Sequence, residues 1–408
     1  MQARRKVAIL YHFMHPDDVV SAQHLDGLAE DLTAQGWLVE ALPCNRGCRD
    51  ETKTYRRHEV HNGVTYNRVS RPRFRQASFF GRLANSCWMI AKWTGLALRP
   101  QSRRPDLVIV GTDPMFGALV AIPLRLLAPN IKLVHWCFDL HPEAAEVSGT
   151  VAQTSAALKA VKAAMRMAYR RYDAIVDIGV CMRRLLRLYD HGARELELTP
   201  WALVEPEQPT SQDAEVRREL FGDARVGVLY SGNFGEAHDH EQILRLARRL
   251  RHRPDIHFCF AVRGNRADAL KAAVTEEDTN ISFAGFAPIE MLEKRLGSAD
   301  IHMASLFPEW SGVAVPSKFF GSLATGRPVL YAGPQDSAIA NWIDRYDIGW
   351  TLTPETLDLV ASQLEEASNH PKTLASIQQR CFETYQTQFS RAKVTGEWNR
   401  LVEASLAD

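Results

Sequence analysis

The feature that most constrains the fold of this chain is a strand–loop–helix pattern that begins each of its halves. An apolar run at residues 7–11 precedes an amphipathic helix at 21–35, and Gly36 separates this helix from a second apolar run. In the second half, the apolar run at 226–230 is followed by a glycine-containing loop and an amphipathic helix at 239–251. These openings predict an α/β fold with two Rossmann-like doubly wound domains, each with a ligand crevice beyond the carboxyl ends of its strands.

Length and composition fit this division. The 408 residues, 46% hydrophobic and 24% charged, are typical of a globular protein with more than one domain. We expect an N-terminal domain at 1–200, a C-terminal domain at 201–389, and a last helix at about 390–408 that packs back on the first domain. Because the N-terminus leads directly into an apolar strand, we expect no signal peptide and a cytoplasmic protein. The seven cysteines lack the paired spacing of a zinc site, so we expect no metal.

Charge is distributed unevenly, although the formal net charge is only +1. Residues 1–200 contain 28 Lys and Arg against 19 Asp and Glu, and the remainder contains 21 against 29. The basic half includes an aromatic, arginine-rich helix at 78–98, which either faces the core with solvated arginines or docks on anionic lipid. Nucleic acid is disfavoured because the aromatic residues do not alternate with the basic ones. We therefore expect a location that is cytoplasmic and peripheral at the inner face of the membrane.

The segment at 307–334 passes from a loop into a short helix and then into an apolar strand. Gly326 and Pro328 end the helix, and Ser317 is placed to cap its first turn. Lys318 stands beside the backbone N–H groups of that turn, which suits a diphosphate. The alternative is an ordinary strand–loop–helix joint of an α/β domain.

Other polar residues follow buried strands. The loop at 231–235, with sequence SGNFG, can bring backbone N–H groups close to a phosphate, and Arg263 ends the next strand. His238, Asp239 and His240 follow the glycine loop, but adjacent positions make a poor metal cage, so a solvated helix start is the preferred interpretation.

In the first half, Asp139, His141 and Glu143 follow the apolar strand at 132–136. Carboxyl ends of parallel strands hold ligands in sheets of this type, so we expect these three side chains near a substrate. The loop at 12–22, after the first strand, is expected to face a ligand for the same reason.

Several segments resemble retaining family 4 glycosyltransferases, whose fold is the two-domain GT-B fold. In the second half they are YSGNFG at 230–235, FAVRGN at 260–265, ISFAGFAP at 281–288, SADIHMASLFP at 298–308 and VPSKFFGSLATGRPV at 315–329. In the first half, FDLHPEAAEVSG at 138–149, the Asn62-Gly63 hairpin and Pro200-Trp201 are similar to the same family. The branch that the chain resembles adds sugars to lipid-linked or polysaccharide precursors, as in O-antigen and colanic-acid assembly.

The resemblance implies two domains that face each other across a cleft, and transfer of a sugar with retention from a nucleotide-diphosphate sugar, UDP- or GDP-linked, to an acceptor hydroxyl. It implies no cofactor besides this donor substrate. Catalytic roles would fall to Asp139, His141, Glu143 and Lys318. The residues expected to bind the donor are Ser231, Gly232, Asn233, Gly235, Arg263, Gly264, Phe286, Gly312, Val313, Pro316, Ser317 and Lys318. On the acceptor side the expected residues are His15, Ser21 and Trp136.

The chain departs from the family at two positions where many members carry glutamates, because Val313 and Gly321 stand there. This departure keeps a catalytically silent scaffold open as an alternative. A sugar-nucleotide 2-epimerase and a transferase that acts on a soluble natural product are further alternatives. A periplasmic binding protein is disfavoured by the expected absence of a signal peptide.

Overall fold

The computed structural model of the protein describes residues 5–152 and 154–407. The chain divides into two compact units, one formed by the residues up to Thr199 together with those from Val394 onward, and the other by Pro200–Lys393. The first boundary differs by one residue from the division expected from the sequence. Residues 1–4, on which the expectation of no signal peptide partly depends, lie outside the described residues.

The first unit is built on an eight-stranded sheet. Its strands are β1 Lys6–Leu10, β2 Leu38–Ala41, β3 His58–His61, β4 Val64–Asn67, β5 Leu107–Gly111, β6 Lys132–Trp136, β7 Ala174–Asp177 and β8 Arg194–Glu197, in the spatial order β3-β4-β2-β1-β5-β6-β7-β8. Among the strand pairs of this sheet in the described residues, the β3–β4 hairpin is antiparallel and the others are parallel. Its turn residues Asn62 and Gly63 both have positive φ, as a two-residue hairpin turn requires. The strand order reverses direction between β1 and β5, so the ligand crevice expected of a doubly wound sheet lies beyond those two strands.

The second unit contains a six-stranded sheet in which every neighbouring pair is parallel. Its strands are β9 Val226–Asn233, β10 Ile256–Arg263, β11 Ile281–Phe283, β12 Ile301–Ser305, β13 Val329–Ala332 and β14 Gly349–Leu352, in the order β11-β10-β9-β12-β13-β14. This is the strand order of the dinucleotide-binding fold, with its switch point between β9 and β12. The prediction of two doubly wound domains is therefore confirmed.

Helices connect the parallel strands in both units. In chain order they are α1 Val20–Ala34, α2 Phe79–Thr94, α3 Ala121–Leu127, α4 Glu143–Val147, α5 Ala156–Tyr169, α6 Val180–Arg187, α7 Ala214–Phe221, α8 Glu241–Arg249, α9 Ala267–Ala273, α10 Leu292–Gly297, α11 Lys318–Ala324, α12 Ala338–Tyr346, α13 Leu357–Asn369, α14 Pro371–Thr384 and α15 Arg391–Ala407. A π-helical turn, Tyr385–Phe389, follows α14. No helix in residues 5–152 and 154–407 combines the length and the apolar character needed to cross a bilayer.

The C-terminal helix α15 packs in the first unit. Trp398 is fully buried against Trp136, with ring centroids 5.0 Å apart, and Asn399 accepts a hydrogen bond from the indole N–H of Trp37 at 2.7 Å. The chain therefore leaves the first unit near residue 200 and returns to it at its end.

Two local expectations were wrong. The glycine loop at 231–235 does not begin after Tyr230, because β9 continues through Gly232 to Asn233 and stays paired with β10 as far as Arg263. Ser317 makes no side-chain cap on α11, since its own backbone is already helical and its carbonyl accepts from the N–H of Phe320 at 3.2 Å.

Candidate functional site

Lys318 lies at the switch point of the second sheet. It begins α11, its Nζ lies 5.1 Å from the ring centroid of Tyr230, and its Cε lies 3.0 Å from where a Cβ on Gly232 would be. Among the described residues no carboxylate forms an ion pair with it, and desolvation lowers its pKa to about 8. A desolvated ammonium without a counter-ion at this position indicates a site for an anion.

Glycines allow β9 and β10 to approach each other beside this lysine. Gly232 has φ +128°, and Gly264 has φ +129°. A Cβ on Gly264 would lie 2.6 Å from the carbonyl oxygen of Phe234 and 2.8 Å from Oδ1 of Asn233. Side chains at either position would therefore strain the backbone, and at Gly264 would also collide with the neighbouring strand end.

Two arginines near the end of β10 stack on aromatic rings. The guanidinium carbon of Arg263 lies 3.8 Å from the ring centroid of Phe286, and that of Arg266 lies 4.6 Å from the ring centroid of Phe307. In the part of the chain that the structure describes, neither arginine forms an ion pair. Stacking orients each guanidinium while its N–H groups remain available, so Lys318, Arg263 and Arg266 supply three cations along one edge of the second sheet.

The remaining residues predicted to bind a donor lie close to these cations in sequence. Ser231 and Asn233 belong to β9, Gly235 follows it, and Pro316 and Ser317 precede Lys318. Gly312 has φ +81° in the turn before them.

Val313 requires a correction. Its side chain is buried, and its N–H donates to the carbonyl oxygen of Trp310 at 3.0 Å. Neither group is therefore free to contact a ligand.

The side chain of His238 is held at the same edge of the second sheet and is not solvated. Its Nδ1 donates to the carbonyl oxygen of Ser305 at 2.8 Å, and burial, aided by Lys318, lowers its pKa to about 4. It is therefore neutral at physiological pH and adds no charge to the cation cluster. Within residues 5–152 and 154–407 no group of three His, Cys, Asp or Glu side chains is arranged to hold a metal ion.

In the first unit, the switch point between β1 and β5 holds an ion pair. His12 is fully buried, its Nδ1 lies 3.4 Å from Oδ2 of Asp113, and its backbone N–H donates to the carbonyl oxygen of Asp113 at 2.9 Å. Burial opposes protonation of the imidazole, but the Asp113 carboxylate overrides it and raises the pKa of His12 to about 9. The pair therefore exists as imidazolium and carboxylate at neutral pH, and the Asp113 side chain is 35% exposed.

Asp139 follows β6, next to Asp113. The backbone N–H of Phe138 donates to Oγ1 of Thr112 at 2.8 Å, which ties the loop after β6 to the loop after β5. The side chain of Asp139 is open to solvent, yet desolvation by surrounding protein atoms, with a smaller contribution from Asp113, raises its pKa to about 6. Asp139 is therefore a carboxyl group that titrates close to neutrality, as a general base requires.

His141 and Glu143, predicted beside Asp139, differ in accessibility. His141 is half-buried, edge-on to Phe116 with ring centroids 6.3 Å apart, and burial lowers its pKa. Glu143 is buried and accepts a hydrogen bond from the hydroxyl of Tyr189. Its carboxylate is therefore engaged in the interior of the unit, which corrects the prediction that it is catalytic.

The residues predicted on the acceptor side do not form one group. Trp136 is a core residue, fully buried, with its indole N–H donated to the carbonyl oxygen of Leu198 at 3.1 Å, so its predicted acceptor contact is wrong. His15 is partly exposed and stacks on His61, with ring centroids 3.8 Å apart. Ser21 is half-buried in the first turns of α1.

Sequence reasoning missed Asp113, His12 and Arg266. Asp113 follows the apolar run of β5 as Asp139 follows that of β6, so the same signal would have found it. His12 follows β1 inside the loop that was expected to face a ligand, but nothing in the sequence shows that it is buried and paired. Arg266 lies one turn beyond Arg263, at the start of α9.

Comparison with known proteins gives both a family match and a sequence relative. Residues 21–202 match the glycosyl transferase 4-like domain. The probable glycosyltransferase WbjE of Pseudomonas aeruginosa is 25% identical over 272 residues, which are 66% of this chain and 68% of that protein.

Solved structures resemble the fold over nearly the whole chain. Sucrose-phosphate synthase from Thermosynechococcus elongatus superposes with a TM-score of 0.72 at 14% identity, covering 99% of this chain and 100% of that one. HepE from Anabaena, solved in complex with UDP, superposes with a TM-score of 0.66 at 12% identity, covering 98% and 100%. At such identities the likeness establishes a common fold for these three chains.

Proposed function

We propose that this chain, whose residues 21–202 match the glycosyl transferase 4-like domain, transfers a sugar, with retention, from a nucleotide-diphosphate sugar to an acceptor hydroxyl on a lipid-linked or polysaccharide precursor. The observation that carries the donor part of this proposal is the cluster of Lys318, Arg263 and Arg266 at the edge of the second sheet. Retention and the class of acceptor are supported only by the sequence resemblance.

The cation cluster suits a nucleoside diphosphate because a diphosphate carries several negative charges and many acceptor oxygens. Each of the three cations lacks a carboxylate partner among the described residues, and each is fixed by an aromatic ring, at 3.8 to 5.1 Å. The lack of a Cβ at Gly232 and Gly264 lets the Lys318 side chain and the Phe234 carbonyl oxygen lie close to these strand ends. HepE, which shares the fold, was solved with UDP bound, which supports a nucleoside diphosphate for this chain also.

The chemical step requires stabilisation of the leaving diphosphate. When the bond between the sugar and the diphosphate breaks, negative charge accumulates on the departing phosphate oxygen. Cations that are already oriented stabilise this charge without reorganisation, which is usually the largest contribution to catalysis. Lys318 and the two arginines are the residues that we propose for this role. We propose no cofactor or metal for this step.

A surface of the first unit supports an acceptor at an anionic membrane. Helix α2 buries Met89 and Trp93 on one face, so it is a core helix on that side. Its other side and the flanking segments expose five apolar side chains: Phe74, Phe79, Phe80, Trp88 and Leu98.

Basic residues accompany this exposed surface. Arg73, Arg75 and Arg82 have no ion-pair partner in the part of the chain described, and Lys92 lies 4.7 Å from the ring centroid of Trp88. Unpaired arginines beside exposed aromatic rings match the boundary between anionic headgroups and acyl chains. We therefore propose that this surface docks on anionic lipid.

The test is a thermal-shift panel of UDP, GDP, ADP and TDP without added metal, followed by product analysis. A ligand at one hundred times its dissociation constant stabilises the native state by about 2.7 kcal/mol, or roughly 5–10 °C for a unit of this size. We expect one nucleoside diphosphate to give such a shift, and the corresponding sugar nucleotide to give a product whose anomeric proton coupling shows retention. A Lys318→Met variant is the control, and it should show no shift. Absence of any shift in the unmodified protein would overturn the donor site and favour the silent scaffold.

A further inference from the structure

We propose that Asp113 is a second carboxylate of the acceptor-side site, held in position by the buried His12, and that its charge adds to the effect of desolvation on Asp139, the group that takes the proton from the acceptor hydroxyl. This inference rests on the proposed function. In these roles Asp139 is catalytic, Asp113 contacts the acceptor hydroxyl or a neighbouring one, and His12 is a positioning residue.

The strand topology places His12, Asp113 and Asp139 where a ligand is expected. His12 is the second residue after β1, and Asp113 is the second residue after β5, so the pair spans the point at which the strand order of the first sheet reverses. Open α/β sheets bind ligands at this point. Asp139 comes from the next strand, β6, and the hydrogen bond from Phe138 N–H to Thr112 holds the two loops together.

The exposures of the ion pair define its roles. His12 has no solvent-exposed side-chain surface, so it cannot touch a substrate, whereas the Asp113 side chain is 35% exposed. The Asp113 Oδ2 lies 3.4 Å from the imidazole Nδ1, and the backbone of His12 is anchored to Asp113 and to the N–H of Cys44. A buried cation paired with a half-exposed carboxylate holds that carboxylate in position. Burial of the imidazolium costs desolvation free energy, so the stability of the fold alone does not explain this pair.

Asp113 and Asp139 have different surroundings, which suit them to different roles. Asp113 has an imidazolium beside it, while Asp139 makes no side-chain hydrogen bond or ion pair among the described residues. Asp113 adds to the desolvation that holds the pKa of Asp139 at about 6. An ion-paired carboxylate beside a carboxyl group that has no partner among the described residues supplies a fixed group and a proton acceptor.

The charged and titratable groups that face this pair come from four elements. They are Tyr11 and His12 after β1, Cys44 and Cys48 in the loop after β2, Asp139 and His141 after β6, and Arg82 of α2, which acts on His141. Of these, only His12 and Arg82 are cations at neutral pH. The negative charge of Asp113 is therefore compensated mainly by His12.

The proposed transfer forms one bond to the anomeric carbon and breaks another. The acceptor oxygen forms a bond to the anomeric carbon, and the bond between that carbon and the diphosphate oxygen breaks, with its electron pair leaving on the diphosphate. The acceptor proton passes to the Asp139 carboxylate and is released to water afterwards. Asp113 keeps its charge throughout.

The test is a titration of Asp139 in protein labelled with ¹³C at the aspartate carboxyl carbons, with its resonance assigned by its loss in Asp139→Asn. In Asp113→Asn the midpoint of Asp139 should fall by about one pH unit, because a neighbouring negative charge is gone. The His12→Gln variant should instead raise the midpoint of Asp139, since the imidazolium that compensates the Asp113 charge is gone. Asp18→Asn, which removes an exposed carboxylate paired with Arg49, should leave it unchanged.

A midpoint of Asp139 that is the same in Asp113→Asn as in the unmodified protein would overturn the proposal, whether or not His12→Gln folds. The titration needs no turnover, so it is independent of the thermal-shift panel, whose failure would count against the donor site alone. In the active enzyme, the acid limb of the kcat/KM profile should move to lower pH by the same amount in Asp113→Asn. A profile that keeps its acid limb while losing amplitude would show a merely structural role for Asp113, and would also overturn the proposal.

Discussion

Replacement of Lys318 by methionine should make the protein more stable and inactive together. Desolvation lowers the pKa of Lys318 from its ordinary value of 10.5 to about 8, which corresponds to about 3 kcal/mol of destabilisation of the folded state while the lysine is charged. Solvent screening at the partly exposed ammonium reduces this figure. Methionine keeps the unbranched side chain over Gly232 and Tyr230 and removes the charge, so we expect a rise of several degrees in the unfolding midpoint at pH 7, on the order of 3–8 °C.

The sign of the pH dependence follows from linkage. Below pH 8, Lys318 is protonated in both states, and the folded state carries the full cost of the buried charge. As pH rises from about 8 towards 10.5, folded Lys318 loses its proton before unfolded Lys318 does, so the stability of the unmodified protein recovers relative to the variant. The advantage of Lys318→Met should therefore be largest at pH 7 and small near pH 10.

Calorimetry supplies an independent measurement. A bound diphosphate favours the ammonium, so at pH 8 its binding should take up about half a proton per site, seen as a dependence of the binding enthalpy on buffer ionisation. Lys294→Met, which removes an exposed lysine paired with Asp213 at 3.0 Å, is the control and should change the midpoint by no more than about 2 °C. A Lys318→Met variant less stable than the unmodified protein at pH 7, or a stability difference that does not change between pH 7 and pH 10, would refute the reasoning.

Two further predictions concern the strand ends and the membrane surface. Gly264→Ala should lower the free energy of unfolding by roughly 2 kcal/mol or more. Its Cβ would lie 2.6 Å from the Phe234 carbonyl oxygen, and the residue would have to keep φ +129°. Gly285→Ala should leave the free energy of unfolding unchanged, because a Cβ there meets nothing within 4 Å. In cosedimentation with vesicles containing anionic lipid, the double variant Phe79→Ser and Phe80→Ser should bind several-fold less than the unmodified protein, with little change in its unfolding midpoint, because the two rings are 41% and 80% exposed. Leu359→Ser, in α13 of the second unit, is the matched control, and equal loss of vesicle binding in it would exclude α2 as the docking surface.

Much of the fold could be predicted because buried parallel strands are continuous apolar runs. The bounds of β6, residues 132–136, agree with those expected from the sequence. The hairpin of β3 and β4 was equally clear from Asn62-Gly63. The end of β9 was not, because strand pairing through Gly232 depends on β10, which local sequence does not contain.

Part of the candidate site was also predicted from the apolar runs that form the strands. Positions after apolar runs identify the edge of a sheet, which is how Arg263 and Asp139 were singled out, whereas Lys318 was singled out by the helix that it begins. Burial and pairing depend on distant residues, so the sequence could not show that Trp136 is covered by Trp398 or that Glu143 bonds Tyr189. The ion pair of His12 and Asp113 joins residues separated by about one hundred positions, and only the adjacency of β1 and β5 brings them together.

The charges at the two sheet edges are opposite in sign to those of the halves that carry them. The second half has an excess of acidic residues, yet its switch point presents Lys318, Arg263 and Arg266 without carboxylate partners among the described residues. The first half is basic, yet its switch point presents Asp113 and Asp139. Interactions at a few ångströms outweigh a diffuse surface charge, which salt screens within about 8–10 Å. Net charge therefore bears on what the first unit docks against, while the chemistry of each unit is decided by the few side chains that its strand ends hold in place.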